Sequence, residues 1–67
     1  MEITVNNQIL QLNTPASLSQ LLSAVLQVPG NGIAIAVNQA IVSKSEWPDY
    51  MLQAGDQVVL IKATQGG

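Results

Sequence analysis

The chain has 67 residues, and its composition limits both its architecture and its chemistry. A chain of this length forms one small domain, which needs a dense core or covalent staples. Hydrophobic residues make up 48% of it, and the absence of Cys and His excludes disulfides and the usual zinc sites. The net charge is −2, with Lys44 and Lys62 as the only cations. We therefore expect an aliphatic core, with neither nucleic acid nor membrane as a partner. With no signal-peptide pattern at the start, we expect a cytoplasmic protein.

Side chains suited to catalysis are scarce. Without Cys and His, the common nucleophile–base pairs cannot be built. Glu46 and Asp49 are three residues apart and could meet on one helical turn, but a solvated surface pair is far more frequent in such a place. The segment 29–32 contains two glycines but lacks the Lys and the spacing of a nucleotide-binding loop. The sequence therefore predicts a protein that is not an autonomous enzyme and binds neither a cofactor nor a metal itself.

The first twelve residues predict a β-hairpin. Residues 2–6 alternate polar and apolar side chains, as a half-buried strand does, and residues 8–12 resume the alternation. Between them, Asn6 and Asn7 tolerate the positive φ that a tight hairpin turn requires.

A helix is predicted after the following loop. Ser17 and Gln20 form a capping-box pattern at its start. Pro29 and Gly30 are expected to end it. Between these signals, the spacing of a 3.6-residue helix predicts one apolar stripe that packs against a sheet, formed by Leu18, Leu21, Leu22, Val25 and Leu26.

The second half of the chain predicts further strands. Residues 33–37 place large apolar residues on one parity and alanines on the other, which indicates one buried and one lightly covered face. Residues 40–42 form a short strand. Residues 43–50 form a short irregular turn, because Pro48 disfavours helix at Trp47. Trp47 and Tyr50 are expected to cover the open edge of the core. Residues 57–63 form the last strand, and its residues 58–61 are apolar on both parities, which predicts a central strand covered at least in part on both faces.

This order of elements, β-β-α-β-(β)-β, predicts an α+β fold. The helix lies between an N-terminal hairpin and the later strands, so it can act as a crossover between parallel strands. We therefore predict a mixed sheet of four to five strands, with one helix packed on one of its faces.

Several positions of the chain together resemble a known family. They are Leu21-Leu22, Ala36-Val37-Asn38, Ile41-Val42, Trp47, Leu52, Gly55-Asp56, the apolar last strand and the final Gly66-Gly67. In this combination the sequence resembles the ubiquitin-like β-grasp proteins, and is most similar to the ThiS family, the sulfur carriers for the thiazole half of thiamine. That family commonly has Pro and Arg after the position of Val42. Here Ser43-Lys44 follow, which keeps one cation but not a bidentate guanidinium.

The resemblance implies a β-grasp domain over residues 1–63 and a flexible C-terminal tail over residues 64–67. It also implies that the carboxylate of Gly67 is the working group. An adenylating enzyme of the ThiF type would use ATP and Mg²⁺ to activate it, and sulfur from a donor such as a cysteine desulfurase would convert it to a thiocarboxylate. A thiazole synthase of the ThiG type would receive the sulfur. Gly66 supplies conformational freedom and lets the chain end enter a narrow active site.

The contact surface for these partners is expected on the sheet face opposite the helix. Counted back from the tail, Val59 and Ile61 fall on the parity that we predict to be exposed. We expect partner contacts from these two residues and from Ala63, Thr64 and Gln65. When free, the chain is expected to be a monomer.

Three other functions are compatible with the same pattern. The small subunit of molybdopterin synthase has the same fold and tail, although its relatives tend to be longer, with more aromatic cores and prolines before the terminal glycines. A ubiquitin-like protein modifier would be joined to lysines through its C-terminus. A binding module with an inert tail would lose nothing on deletion of Gly66-Gly67.

Overall fold

The computed structural model describes residues 1–27 and 31–62 of the chain. The strands are β1 (Glu2–Val5), β2 (Gln8–Gln11), β3 (Ile33–Val37), β4 (Ala40–Val42) and β5 (Gln57–Lys62). Helix α1, residues 18–26, follows β2, and a short 3₁₀ turn, Lys44–Glu46, follows β4. The strands form one five-stranded sheet in the order β2-β1-β5-β3-β4.

The N-terminal hairpin forms as the alternation of its residues predicts. Asn6 and Asn7 adopt φ of 50° and 68° at the turn, the left-handed region that Asn tolerates better than most residues. The antiparallel register pairs Ile3 with Leu10 and Thr4 with Ile9. Ile3 and Leu10 belong to the side of the sheet that packs in the core. The predicted hairpin is confirmed.

The final strand joins the two halves of the sheet. β5 pairs parallel to β1 and antiparallel to β3, so it occupies the centre of the sheet as its composition predicts. Because β1 and β5 are parallel, the sheet is mixed. The predicted α+β architecture, a five-stranded mixed sheet with one helix, is confirmed.

Helix α1 begins as predicted and then departs from the expected winding. The capping box is complete: Gln20 N–H donates to Ser17 Oγ at 3.2 Å, and Ser17 N–H donates to Gln20 Oε1 at 2.9 Å. Leu18–Gln20 are α-helical, but Leu21–Leu26 form a π-helix. Gln27 ends the helix in the left-handed conformation, and its N–H donates to the carbonyl of Leu22, five residues back.

The π-helical winding corrects the predicted apolar stripe. Leu18, Leu21 and Leu22 are buried and Leu26 packs against the core, whereas Val25 is 41% exposed. A helix with i→i+5 hydrogen bonds turns through a smaller angle per residue than an α-helix, so the 3.6-residue spacing no longer describes it. The assignment of Val25 to the core-facing stripe was therefore wrong. Pro29 and Gly30, predicted to end the helix, lie outside the described residues.

Trp47 is part of the core itself. Its side chain is only 4% exposed, and its indole N–H donates to the carbonyl oxygen of Val42 at 3.0 Å. Tyr50 is half-buried and packs against the same cluster. The prediction that Pro48 keeps Trp47 out of helical geometry was wrong: Trp47 caps the 3₁₀ turn with φ −55° and ψ −41°. Its buried ring and indole hydrogen bond outweigh the local preference imposed by Pro48.

Across residues 1–27 and 31–62, no helix combines the length and the apolar character needed to cross a lipid bilayer.

Candidate functional site

Strand β5 carries two different surfaces on its two faces. Val58 is 1% exposed, and Leu60 packs against the core. Because successive side chains of a strand point to opposite faces, Val59 and Ile61 lie on the face away from the helix, where they are 42% and 46% exposed. The predicted parity is confirmed, while the predicted partner contacts of both residues stay a prediction.

The neighbouring strands extend this apolar surface. Val59 pairs with Ala36, and Ile61 pairs with Ala34. On its other side Ala36 pairs with Ile41, which is 66% exposed. We call this surface the open-face patch; it consists of Ala34, Ala36, Ile41, Val59 and Ile61. Ile41, Val59 and Ile61 are its exposed members, whereas Ala36 between them is buried. Grouped exposed apolar side chains often mark interaction surfaces in soluble proteins.

Ile41 was not among the residues predicted to contact a partner. The signal that could have found it lies in β3, where alanines occupy one parity of an otherwise large apolar strand. Where one strand has small residues on a face of the sheet, larger side chains of the two neighbouring strands protrude from that face. Because Ile41 and Val59 flank Ala36 on either side, both protrude from that face.

A buried carboxylate fixes the turn beside β5. Asp56 is 9% exposed, and its carboxylate accepts hydrogen bonds from Asn38 Nδ2 at 3.1 Å and from the N–H of Gln53 at 2.8 Å. The Asn38 side-chain oxygen accepts a hydrogen bond from the N–H of Gln57 at 2.9 Å. These four residues, which we call the turn clip, join the β3–β4 turn to the start of β5. Every buried side-chain polar atom that the structure describes has such a partner.

Glu46 and Asp49, the two carboxylates that are three residues apart in the sequence, are both exposed beside the 3₁₀ turn. The Glu46 carboxylate accepts a hydrogen bond from the hydroxyl of Ser43 at 3.1 Å, as a surface carboxylate does. Lys44 places its ammonium 6.0 Å from the centroid of the Trp47 ring. Within residues 1–27 and 31–62 no group of three or more His, Cys, Asp or Glu side chains could hold a metal ion.

The rest of the predicted site follows β5 directly in sequence. Ala63, Thr64, Gln65, Gly66 and Gly67 all lie outside the described residues. What the structure describes is therefore the strand that leads to them and the open-face patch beside it. This arrangement can bind a partner through an apolar surface and present the residues after Lys62 to it.

Comparison with known proteins identifies similar chains over the whole length. The model of the ThiS family matches residues 1–67. The curated sulfur carrier protein ThiS of Escherichia coli is 34% identical over 67 residues, covering 100% of both chains. A crystal structure of the thiamine biosynthesis protein (ThiS) of Geobacter metallireducens superposes with a TM-score of 0.87 at 20% identity, covering 100% of both chains. A solution structure of a thiamine biosynthesis protein from the same organism gives a TM-score of 0.77 at 23% identity, covering 100% of this chain and 88% of the other. The two solved structures establish the similarity of the fold.

Proposed function

The chain belongs to the ThiS family and is a sulfur carrier protein of thiamine biosynthesis, and on that premise we propose that Gly67 carries the sulfur as a C-terminal thiocarboxylate. The family match over the full length favours the thiazole pathway over the molybdopterin pathway and over a protein modifier. In this proposal the folded domain recognises the enzymes, and the chain end takes part in the reaction as their co-substrate.

The chemistry of a carboxylate requires activation by another protein. A free α-carboxylate is an anion at neutral pH and a poor acylating agent. In the proposed first step, an oxygen of the Gly67 carboxylate attacks the α-phosphorus of ATP, pyrophosphate leaves, and an acyl-adenylate forms. The chain has no Cys, no His and no Arg with which to assist this step. In this proposal the adenylating enzyme supplies the Mg²⁺ and the groups that bind the phosphates.

Sulfur then replaces the adenylate. The terminal sulfur of a persulfide, supplied by a donor such as a cysteine desulfurase, attacks the acyl carbon and displaces AMP, which gives an acyl disulfide. A thiol reduces that disulfide and releases the thiocarboxylate. The sulfur is now nucleophilic and attached to a protein, in the form in which a thiazole synthase would receive it.

The open-face patch is the observation that carries the proposal for partner binding. Two of its residues, Val59 and Ile61, lie on the strand that leads to the chain end, with Ile61 two residues before Ala63. Gly67 is the fifth residue after Lys62, and five residues span at most about 18 Å. An enzyme that acts on Gly67 must therefore contact the domain close to the end of β5. Exposed Val59 and Ile61 meet this requirement, and Ala63, Thr64 and Gln65 would follow the chain into the enzyme.

The proposal is tested by intact-mass analysis of the protein purified from its own host. We expect a fraction of the chains to be heavier by the difference between one sulfur and one oxygen atom, with the change mapped to Gly67. A variant that lacks Gly67 is the control, and it should show no such species. A chain that extends past Gly67 in its mature form, or that never exchanges the oxygen, would refute the proposal.

The contact surface has its own test. Replacing Val59 and Ile61 together by Ser should weaken binding to the adenylating enzyme while leaving the fold intact, because both side chains are exposed. Val25 is similarly exposed, at 41%, and lies on helix α1, outside the open-face patch, so Val25→Ser is the matched control. Equal affinity of the double variant and the control would contradict the assignment of this surface.

The pathway is tested by deleting the gene. Loss of the gene should create a growth requirement for thiamine.

A further inference from the structure

Strand β5 is paired along one edge and only partly paired along the other. On the β3 side, pairing continues from Val58 to Lys62, which faces Ile33. On the β1 side, pairing covers only Gln57 and Val58. Beyond that point β1 ends and Asn6 turns the chain away with φ of 50°.

The direction of the backbone groups on this edge follows from the register. The N–H of Asn38 donates to the carbonyl of Gln57 at 2.8 Å, so the odd-numbered residues of β5 direct their backbone groups towards β3. In an antiparallel ladder the direction alternates along the strand. Leu60 and Lys62 therefore direct theirs towards the β1 side. The N–H of Leu60 is already bonded there, to Oδ1 of Asn6 at 2.8 Å.

The carbonyl of Leu60 and the backbone groups of Lys62 remain on that edge without a neighbouring strand in residues 1–27 and 31–62. We call them the free edge of β5. A strand edge of this kind is a template for pairing with another extended segment. It differs from the outer edges of the sheet because it lies on the central strand, immediately before the residues that lead to Gly67.

A groove opens beside the free edge. Its volume is about 280 Å³. Among the residues that the structure describes, two polar ones, Asn6 and Gln8, contribute to its lining, and no charged one does. The remaining lining is apolar and comes from the hairpin, the end of helix α1 and β5: Val5, Ile9, Leu10, Leu26 and Leu60. A charged side chain would lose its hydration here without gaining a partner, so the groove favours an apolar occupant.

We infer that an extended, uncharged segment of the adenylating enzyme adds to the free edge of β5 as a further strand and seats one apolar side chain in the groove. The inference rests on the proposed function, because the enzyme must hold the chain that leads to Gly67. A backbone edge is satisfied best by another backbone, and a pocket beside it selects a side chain. Both features lie at Leu60, so one extended segment can occupy both. Such a strand runs alongside β5 and fixes the direction in which the chain end leaves the domain.

Two glutamines of β2 provide a matched pair of variants. Gln8 and Gln11 are both exposed, but only Gln8 lines the groove. Gln8→Lys brings a charge to the groove and should weaken binding to the adenylating enzyme about tenfold. Gln11→Lys makes the same change of net charge at the other end of the strand and should alter affinity by less than about twofold. Thermal unfolding of both variants checks that the fold is retained. Equal affinities would overturn the inference.

Amide hydrogen exchange tests the strand addition directly. Exchange at Lys62 should slow in the complex with the enzyme, whereas exchange at Ile61, whose backbone faces β3, should change little. Slow exchange at Lys62 in the isolated chain would mean that the chain's own residues fill the edge, and would overturn the inference. Protection that rises with protein concentration would indicate a second copy and would overturn it equally. The mass test on the unaltered chain separates failure of this inference from failure of the proposed function.

Discussion

The turn clip makes a quantitative prediction about the stability of the domain. Asn38→Ala removes the hydrogen bond to the Asp56 carboxylate, at 3.1 Å, and the one from the N–H of Gln57, at 2.9 Å. It also places Ala at a φ of 51°, a conformation that L-residues other than Gly, Asn and Asp rarely adopt.

The three losses differ in size. A hydrogen bond to a charged group contributes about 1.5–3 kcal/mol and a neutral one about 1 kcal/mol. We take the lower part of each range, because Asn38 and Gln57 are exposed to solvent. The left-handed backbone adds about 1 kcal/mol for Ala. The free energy of unfolding should therefore fall by about 3 kcal/mol, a large part of the 5–15 kcal/mol that is typical of native domains.

The assay is urea unfolding followed by the fluorescence of Trp47, the single tryptophan, which is buried in the core. Asn7→Ala is the control: Asn7 also has positive φ, 68°, but its side chain is exposed and outside the turn clip. We expect it to lose only the backbone contribution of about 1 kcal/mol. If both variants unfold at the same urea concentration, the hydrogen bonds of Asn38 do not stabilise the fold and the reasoning is refuted.

Two further predictions concern the helix and the core. Val25→Ala should change the free energy of unfolding by less than about 0.5 kcal/mol, whereas Leu22→Ala should lower it by about 3 kcal/mol; equal losses in urea unfolding would mean that Val25 packs in the core after all. Trp47→Phe removes the indole hydrogen bond to the carbonyl of Val42 and leaves a cavity, so it should cost about 2 kcal/mol. The loss is measured by far-UV circular dichroism, since the fluorophore is gone, and an unchanged midpoint would contradict the role of that bond.

Local sequence signals predicted the elements whose determinants lie within a few residues. The capping box at Ser17 and the two asparagines of the hairpin turn act through neighbouring backbone groups, so the sequence contains the whole interaction. The alternation in residues 33–37 likewise reports the two faces of β3 directly. These features were predictable because each depends on contacts that are close in the chain.

The predictions that were wrong or incomplete depend on contacts between residues distant in the chain, or on the number of residues per helical turn. Val25 fits a 3.6-residue stripe, and only the π-helical turn after Gln20 moves it away from the core. Trp47 adopts helical geometry before Pro48 because its ring is held in the core, at the carbonyl of Val42. Ile41 protrudes because its cross-strand neighbour is an alanine. Tertiary packing determines cross-strand register and helix winding of this kind. The periodicity of apolar residues in the sequence does not predict either.

The place of Val59 and Ile61 on β5 suits the proposed function. In that proposal the chain end reacts on more than one enzyme, so it must be presented at a reproducible distance from the surface that the enzymes contact. The central strand is held from both sides, since β3 pairs with it as far as Lys62 and the side chain of Asn6 accepts a hydrogen bond from the N–H of Leu60. Because Val59 and Ile61 lie on that strand, the surface that an enzyme would contact and the start of the chain that leads to Gly67 belong to the same element. The five residues after Lys62 then determine how far Gly67 can lie from that surface.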